Sequence, residues 1–106
     1  MIQIYKGSIY SFKLLSGEEI IAQVVDVEVD EIDILSPLGV TLTAQGPDTF
    51  PGMIAGDVSK SMTLSRASIS IIAEVEEHIK NSYLKAVEEM VNTKKEQQEE
   101  KDAKGM

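Results

Sequence analysis

Cysteine and tryptophan are absent from this chain of 106 residues, aromatic side chains make up 5% of it, and the 18 acidic residues outnumber the 10 basic ones. Without cysteine there is no disulfide framework and no thiolate metal site, and the absence fits a reducing compartment. No apolar run approaches the roughly 20 residues that a membrane-crossing helix needs. The opening Met1-Ile2-Gln3-Ile4-Tyr5-Lys6 lacks the continuous apolar segment of a signal peptide, so a cytoplasmic location and no membrane partner are expected. The sole histidine, His78, has no serine, thiol or carboxylate motif beside it that would make a nucleophile and base pair, and reads as a surface residue. The turns Gly46-Pro47 and Pro51-Gly52 lack the Gly-Lys-Ser/Thr step of a phosphate loop. No catalytic residue and no cofactor is expected.

Acidity is the most discriminating global property. The formal net charge is −8 at pH 7, which repels nucleic-acid phosphate at long range. Residues 1–73 carry nine carboxylates against four cations (Lys6, Lys13, Lys60, Arg66), so the acidity belongs to the globular part as well as to the C-terminal stretch. Asp26, Glu28 and Asp30 alternate with valines, and Asp33 follows beyond a slip at Asp30-Glu31. They lack the spacing and glycine of an EF-hand loop and read as a solvated strand face, with no metal site expected.

A chain of this length is one small domain, and association would add to its thin stability margin. Its clearest local signal is Phe12-Lys13-Leu14-Leu15-Ser16-Gly17-Glu18-Glu19-Ile20-Ile21-Ala22, two alternating arms around a turn that glycine can take with positive φ. Ile2 to Tyr10 predicts a short strand or extended arm feeding the hairpin. Ile20 to Val29 predicts the longest strand, with Val25, Val27 and Val29 on one face and Asp26, Glu28 and Asp30 on the other. Ile32 to Leu42 predicts a strand broken at Ser36-Pro37-Leu38-Gly39, because proline removes a ladder donor. Turn formers make Ala44 to Val58 the longest irregular section, with Phe50 as a loop anchor or an exposed aromatic for a partner. Met62 with Leu64, then Ile69, Ile71 and Ala73, predict two more strands. From Val75 the period changes: Ile79, Tyr83, Val87 and Met90 follow at helical spacing, with Ala86 and Val91 beside them. The expected organisation is a β domain over 1–75, an amphipathic helix over 76–92 and a polar helical or disordered tail over 93–106.

The hairpin Phe12-x-Leu14-x-x-Gly17-x-x-Ile20-x-Ala22 resembles the first motif of the Sm-like (LSm) family, with Ala22 where the family usually has glycine. Ser65-Arg66-Ala67-Ser68 is similar to the Arg-Gly step of the second motif, with Ala67 in place of glycine. The whole sequence also resembles small Sm-like proteins encoded by tailed phages of cyanobacteria, which would make the location the host cytoplasm. The resemblance implies a mainly β fold: a small, strongly bent, five-stranded antiparallel open barrel, followed here by one C-terminal α-helix. It also implies a homo-oligomeric ring closed by pairing edge strands, an arrangement that protects exposed strand edges.

In that family RNA is met by two loops at the ring pore. In this chain they correspond to Asp30-Glu31-Ile32-Asp33 and to Arg66, so Arg66, Ile32 and Asp33 are the candidate RNA-binding residues. The first loop has no asparagine, and ionised Asp33 offers a base edge acceptors only. Arg66, the only arginine, fits a phosphate contact, base stacking or a structural ion pair. The leading expectation is a non-enzymatic ring-forming subunit acting as a scaffold toward a protein partner. The alternative is a ring that contacts single-stranded RNA through Arg66.

Overall fold

The hairpin around Gly17 forms where the alternation puts it. In a computed structural model describing residues 3–52 and 60–104, β1 (Ile9–Leu14) and β2 (Glu19–Val27) pair antiparallel, with Phe12 opposite Ile20 and Tyr10 opposite Ala22. Gly17 turns the chain at φ 96°, a conformation side chains with a Cβ rarely adopt. The first strand starts at Ile9; of the short strand or extended arm expected from Ile2 to Tyr10, Ile2 lies outside the described residues. Gly7 and Ser8 still lie alongside β2, the Gly7 N–H donating to Val24 (2.7 Å) and the Val24 N–H to Ser8 (2.9 Å).

Next comes β3 (Glu31–Thr43), a single strand of 13 residues that runs through Pro37 where a break was expected. Two short strands, β4 (Gly46–Pro51) and β5 (Met62–Ser65), lie end to end along its far side. Leu38 faces Pro51 and Thr43 faces Gly46, while Ile34 faces Met62 and Glu31 faces Ser65. A 3₁₀ turn over Arg66–Ser68 then leads into β6 (Ile69–Glu74), which pairs with β1. The result is a six-stranded open sheet ordered β4-β3-β2-β1-β6, with β5 sharing the lane of β4. A five-stranded open barrel was expected; six strands form, because β4 and β5 share one lane, and the sheet stays open rather than closing into a barrel. The section expected to be irregular therefore contains β4, while Met53 to Val58 of that expectation lie outside the described residues.

Proline is tolerated within β3 because of what flanks it. Val24 faces Ile34 and Ile21 faces Leu38, so β3 uses one more residue than β2 over this interval. That extra residue is a bulge, and Ser36 takes φ 53° within it. One inserted residue exchanges the faces of everything beyond it. Ile32 and Ile34 accordingly join Tyr10, Phe12, Ala22 and Val24 in one buried cluster, while Leu38, also at an even position, joins Ile21 in the other. A second bulge at Val25, between Val24 and Asp26, ends the alternation predicted for β2. Val25 is exposed, Val27 packs against the first cluster, and Val29 leaves the strand altogether at 90% exposure. The carboxylates of Glu28 and Asp30 thus sit in a turn, and no three-carboxylate strand face exists.

The last element, α1 (Glu77–Lys104), covers the sheet face opposite the first cluster. Its predicted stripe forms the contact: Ile79, Ala86, Val87 and Met90 pack around Tyr83 against Ile21 and Leu38, together with Val75 just before the helix. Val91 lies off this contact and is exposed. Tyr83 is 2% exposed, and its hydroxyl donates to the carbonyl oxygens of Ser36 (2.9 Å) and Leu35 (3.3 Å). Helix and bulge thus meet through the tyrosine hydroxyl, which bonds backbone carbonyls at the bulge.

Gly52 is held at the same bend. Its N–H donates to the Pro37 carbonyl (3.1 Å), and a Cβ there would stand 2.7 Å from that oxygen. Backbone on the opposing side cannot swing away as a side chain can. Gly52→Ala should therefore destabilise the fold by about 1–3 kcal/mol, read as a lower urea midpoint at unchanged slope. A midpoint equal to wild type would mean that the close approach does not exist in solution.

Candidate functional site

The two loops singled out in the sequence do meet. At one end of the sheet the turn between β2 and β3 is closed by the Glu28 N–H donating to Glu31 (2.9 Å), and the Arg66 N–H donates to the Asp30 carbonyl (2.9 Å). The 3₁₀ turn that starts at Arg66 is therefore tied by its backbone to the acidic turn.

The three candidate residues have different fates there. Ile32 is fully buried in the first core cluster and offers nothing to a ligand; its place opposite Leu64 in the sheet interior corrects the expectation of a surface contact. Asp33 is half-buried and accepts a hydrogen bond from the Thr63 hydroxyl (3.1 Å), which ties β3 to β5. Arg66 is exposed and makes no ion pair among the described residues.

Electrostatically this end is acidic. Asp26, Glu28, Asp30, Glu31 and Asp33 cluster here, with Lys6 and Arg66 as the cations. Repulsion from Glu31 is the largest influence raising the Glu28 pKa, followed by partial desolvation and by Asp26 and Asp33. Asp26 moves the other way. The Lys6 Nζ bonds its carboxylate (3.1 Å), and the Val27 N–H donates to it as well (3.0 Å), so its pKa falls below the ordinary value. For an acid whose pKa is lowered on folding, the stabilisation is present above the unfolded pKa and fades as the pH falls through the folded one. Lys6→Met should return the Asp26 midpoint toward the usual carboxylate range, measured by carboxyl chemical shifts across a pH titration. An unmoved midpoint would show that Lys6 does not hold Asp26 in solution.

Among the described residues no group of three or more histidine, aspartate or glutamate side chains is placed to hold a metal ion. No helix there is long and apolar enough to cross a membrane.

The chain matches no protein-family model and no curated protein. Its chemistry must be read from its own residues.

Those residues form one further concavity, which the linear sequence did not announce. Where β6 runs into α1, a cleft of about 410 Å³ opens on the helix-covered face. Ile21, Val40, Val75 and Ile79 supply apolar walls, and Glu19 supplies a carboxylate. Glu19 accepts a hydrogen bond from the Ser11 hydroxyl (2.7 Å). At its rim His78 Nε2 lies 3.5 Å from Glu76 Oε2, an ion pair when the imidazole is protonated. The walls come from strands and a helix far apart in the chain, so no local pattern could have marked the cleft. Serine and histidine both line it, but each is bound to a different carboxylate, and no nucleophile and base pair results.

Proposed function

We propose that this chain is a non-enzymatic, Sm-like subunit that assembles with copies of itself through its sheet edges and acts as a scaffold for a partner protein. The observation that carries the reading is the pair of bare borders on one small open sheet. Among the described residues β6 pairs only with β1, and β5 pairs only with β3. Unpaired backbone donors and acceptors along a border are a template for another strand. Two different borders on one molecule favour head-to-tail pairing, which closes into a ring when the rotation permits. The hairpin turning at Gly17 forms over the stretch Phe12 to Ala22 that carries the Sm-like resemblance.

Sedimentation velocity on the full chain at micromolar concentration tests this. A discrete oligomer is expected. A monomer throughout the micromolar range would overturn the proposal.

Arg66 supports a second reading, RNA contact at the same end of the assembly, because its guanidinium is exposed and free of an ion pair among the described residues. The surrounding carboxylates oppose it, since phosphate contacts depend on local cations. Filter binding with oligo-U and oligo-A at low salt distinguishes the two. The scaffold reading predicts no micromolar complex; a complex weakened by salt and by Arg66→Ala would put RNA first.

A further inference from the structure

The cleft beside α1 exists because its floor is made of small side chains. Ser11 on β1 stands opposite Ala73 on β6 and opposite Ile21 on β2. Glu19 has the parity of Ile21, and Val40 that of Leu38, so the ladder sets them on the face that α1 covers. Val75 and Ile79, both half-buried, close over it from the start of the helix. Its volume of about 410 Å³ is that of a small-molecule pocket, a mostly apolar space with few polar groups.

The charged groups of the cleft are of one sign. Among the described residues that line it there is no lysine or arginine. Glu76 at the rim lies against His78 (3.5 Å), so Glu19 is the carboxylate left open. The Ser11 hydroxyl donates to Glu19 Oε1 (2.7 Å) and ties the carboxylate to the floor, while Oε2 has no hydrogen-bond partner among the described residues. Lys13 stands opposite Glu19 in the ladder and makes no ion pair with it. An apolar cleft with one open carboxylate, on a chain of net charge −8, suits a ligand with an apolar stem and a positive head.

We propose that this cleft binds a primary alkylammonium, its methylene chain on Ile21, Val40, Val75 and Ile79 and its head on the Glu19 carboxylate. Each methylene taken out of water adds apolar contact, and the ammonium supplies the donor that Oε2 lacks. Free amines and the lysine side chains of proteins share this chemistry. The site lies on the helix-covered face and does not depend on assembly through the sheet borders.

The test is methyl NMR of Ile21, Val40, Val75 and Ile79 while hexylammonium, hexanol or hexanoate is added at neutral pH and matched ionic strength. Saturable shifts at these four residues are expected with hexylammonium, and weaker ones with hexanol and hexanoate. Glu19→Gln should weaken hexylammonium binding about fivefold, and Glu88→Gln, an exposed position on α1, should leave it unchanged. Ala73→Leu, which fills the floor, should abolish binding; circular dichroism checks that each variant keeps its helix. Nα-acetyl-lysine methylamide distinguishes the sources. Binding as tight as that of hexylammonium points to a lysine of a partner protein, weaker binding to a free amine, and either supports the site. Equal responses to hexylammonium and hexanol, equal losses in Glu19→Gln and Glu88→Gln, undiminished binding in Ala73→Leu, or shifts spread over the surface without saturation would overturn it.

Discussion

Tyr83→Ala should lower the unfolding free energy by about 3–5 kcal/mol, the largest loss expected from any single helix position. The side chain is 2% exposed and sits at the centre of the cluster between α1 and the sheet. Its removal leaves a cavity and takes away the hydroxyl that bonds the Ser36 and Leu35 carbonyls. Tyr83→Phe separates the two contributions: the ring remains, the carbonyls lose their donor, and about 1–2 kcal/mol is the expected loss.

The pH dependence gives an independent reading of the same residue. Burial pushes the Tyr83 pKa up to about 12, against an opposing hydrogen bond from the Gln23 backbone. For a group whose pKa is raised on folding, its contribution is complete below the unfolded value near 10 and is lost as the pH rises toward 12. That loss is on the order of 2–3 kcal/mol. Urea midpoints at pH 8 and pH 11 should therefore differ more in wild type than in Tyr83→Phe. Parallel alkaline losses in the two proteins would mean that the hydroxyl is not buried against the bulge.

Phe12→Ala should cost about 3–5 kcal/mol for a different reason. Phe12 has no exposed surface and stands on the strand between the hairpin partner and the last strand, opposite Ile20 on one side and Ile72 on the other. Its ring meets that of Tyr10 edge-on, with centroids 6.5 Å apart and planes at 65°. The lost packing couples β6 to the rest of the sheet, so amide exchange in Ile69 to Glu74 should accelerate beyond the global change. Phe12→Leu keeps most of the volume and should cost less than about 1.5 kcal/mol. Equal midpoints for the alanine and leucine variants would show that the cavity collapses and that Phe12 is not the organising side chain of this cluster.

The elements with strong local periodicity were legible. Phe12 to Ala22 alternates around a glycine, and the hairpin is there; Val75 to Met90 repeats at helical spacing, and that stripe faces the sheet. What escaped was wherever the ladder slips. Reading β2 by parity placed Val25, Val27 and Val29 on one face, and the bulge at Val25 undid it. Reading Pro37 as a break ignored that a proline can stay in a strand when neither neighbour needs its donor. The gap between β4 and β5 meets that condition at Pro37.

The candidate site shows the same division. Arg66 and the acidic turn were singled out as two loops through the Sm-like resemblance, not by local pattern, and the structure bonds their backbones. Ile32 was misjudged because a position beside a turn can be solvent-facing or fully buried, depending on which strand covers it. Here β5 covers it, with Leu64 directly opposite.

Composition and pattern by themselves determined that this is a small acidic β protein with a late amphipathic helix, because hydrophobic periodicity is written in the order of residues. They also determined the hairpin, since only glycine turns readily at its tip. The tertiary structure decided which face each apolar residue of β3 serves, because one inserted residue at Ser36 reverses the pleat. It decided too that β4 and β5 share a lane and that the cleft beside α1 exists, since both depend on segments brought together from distant parts of the chain.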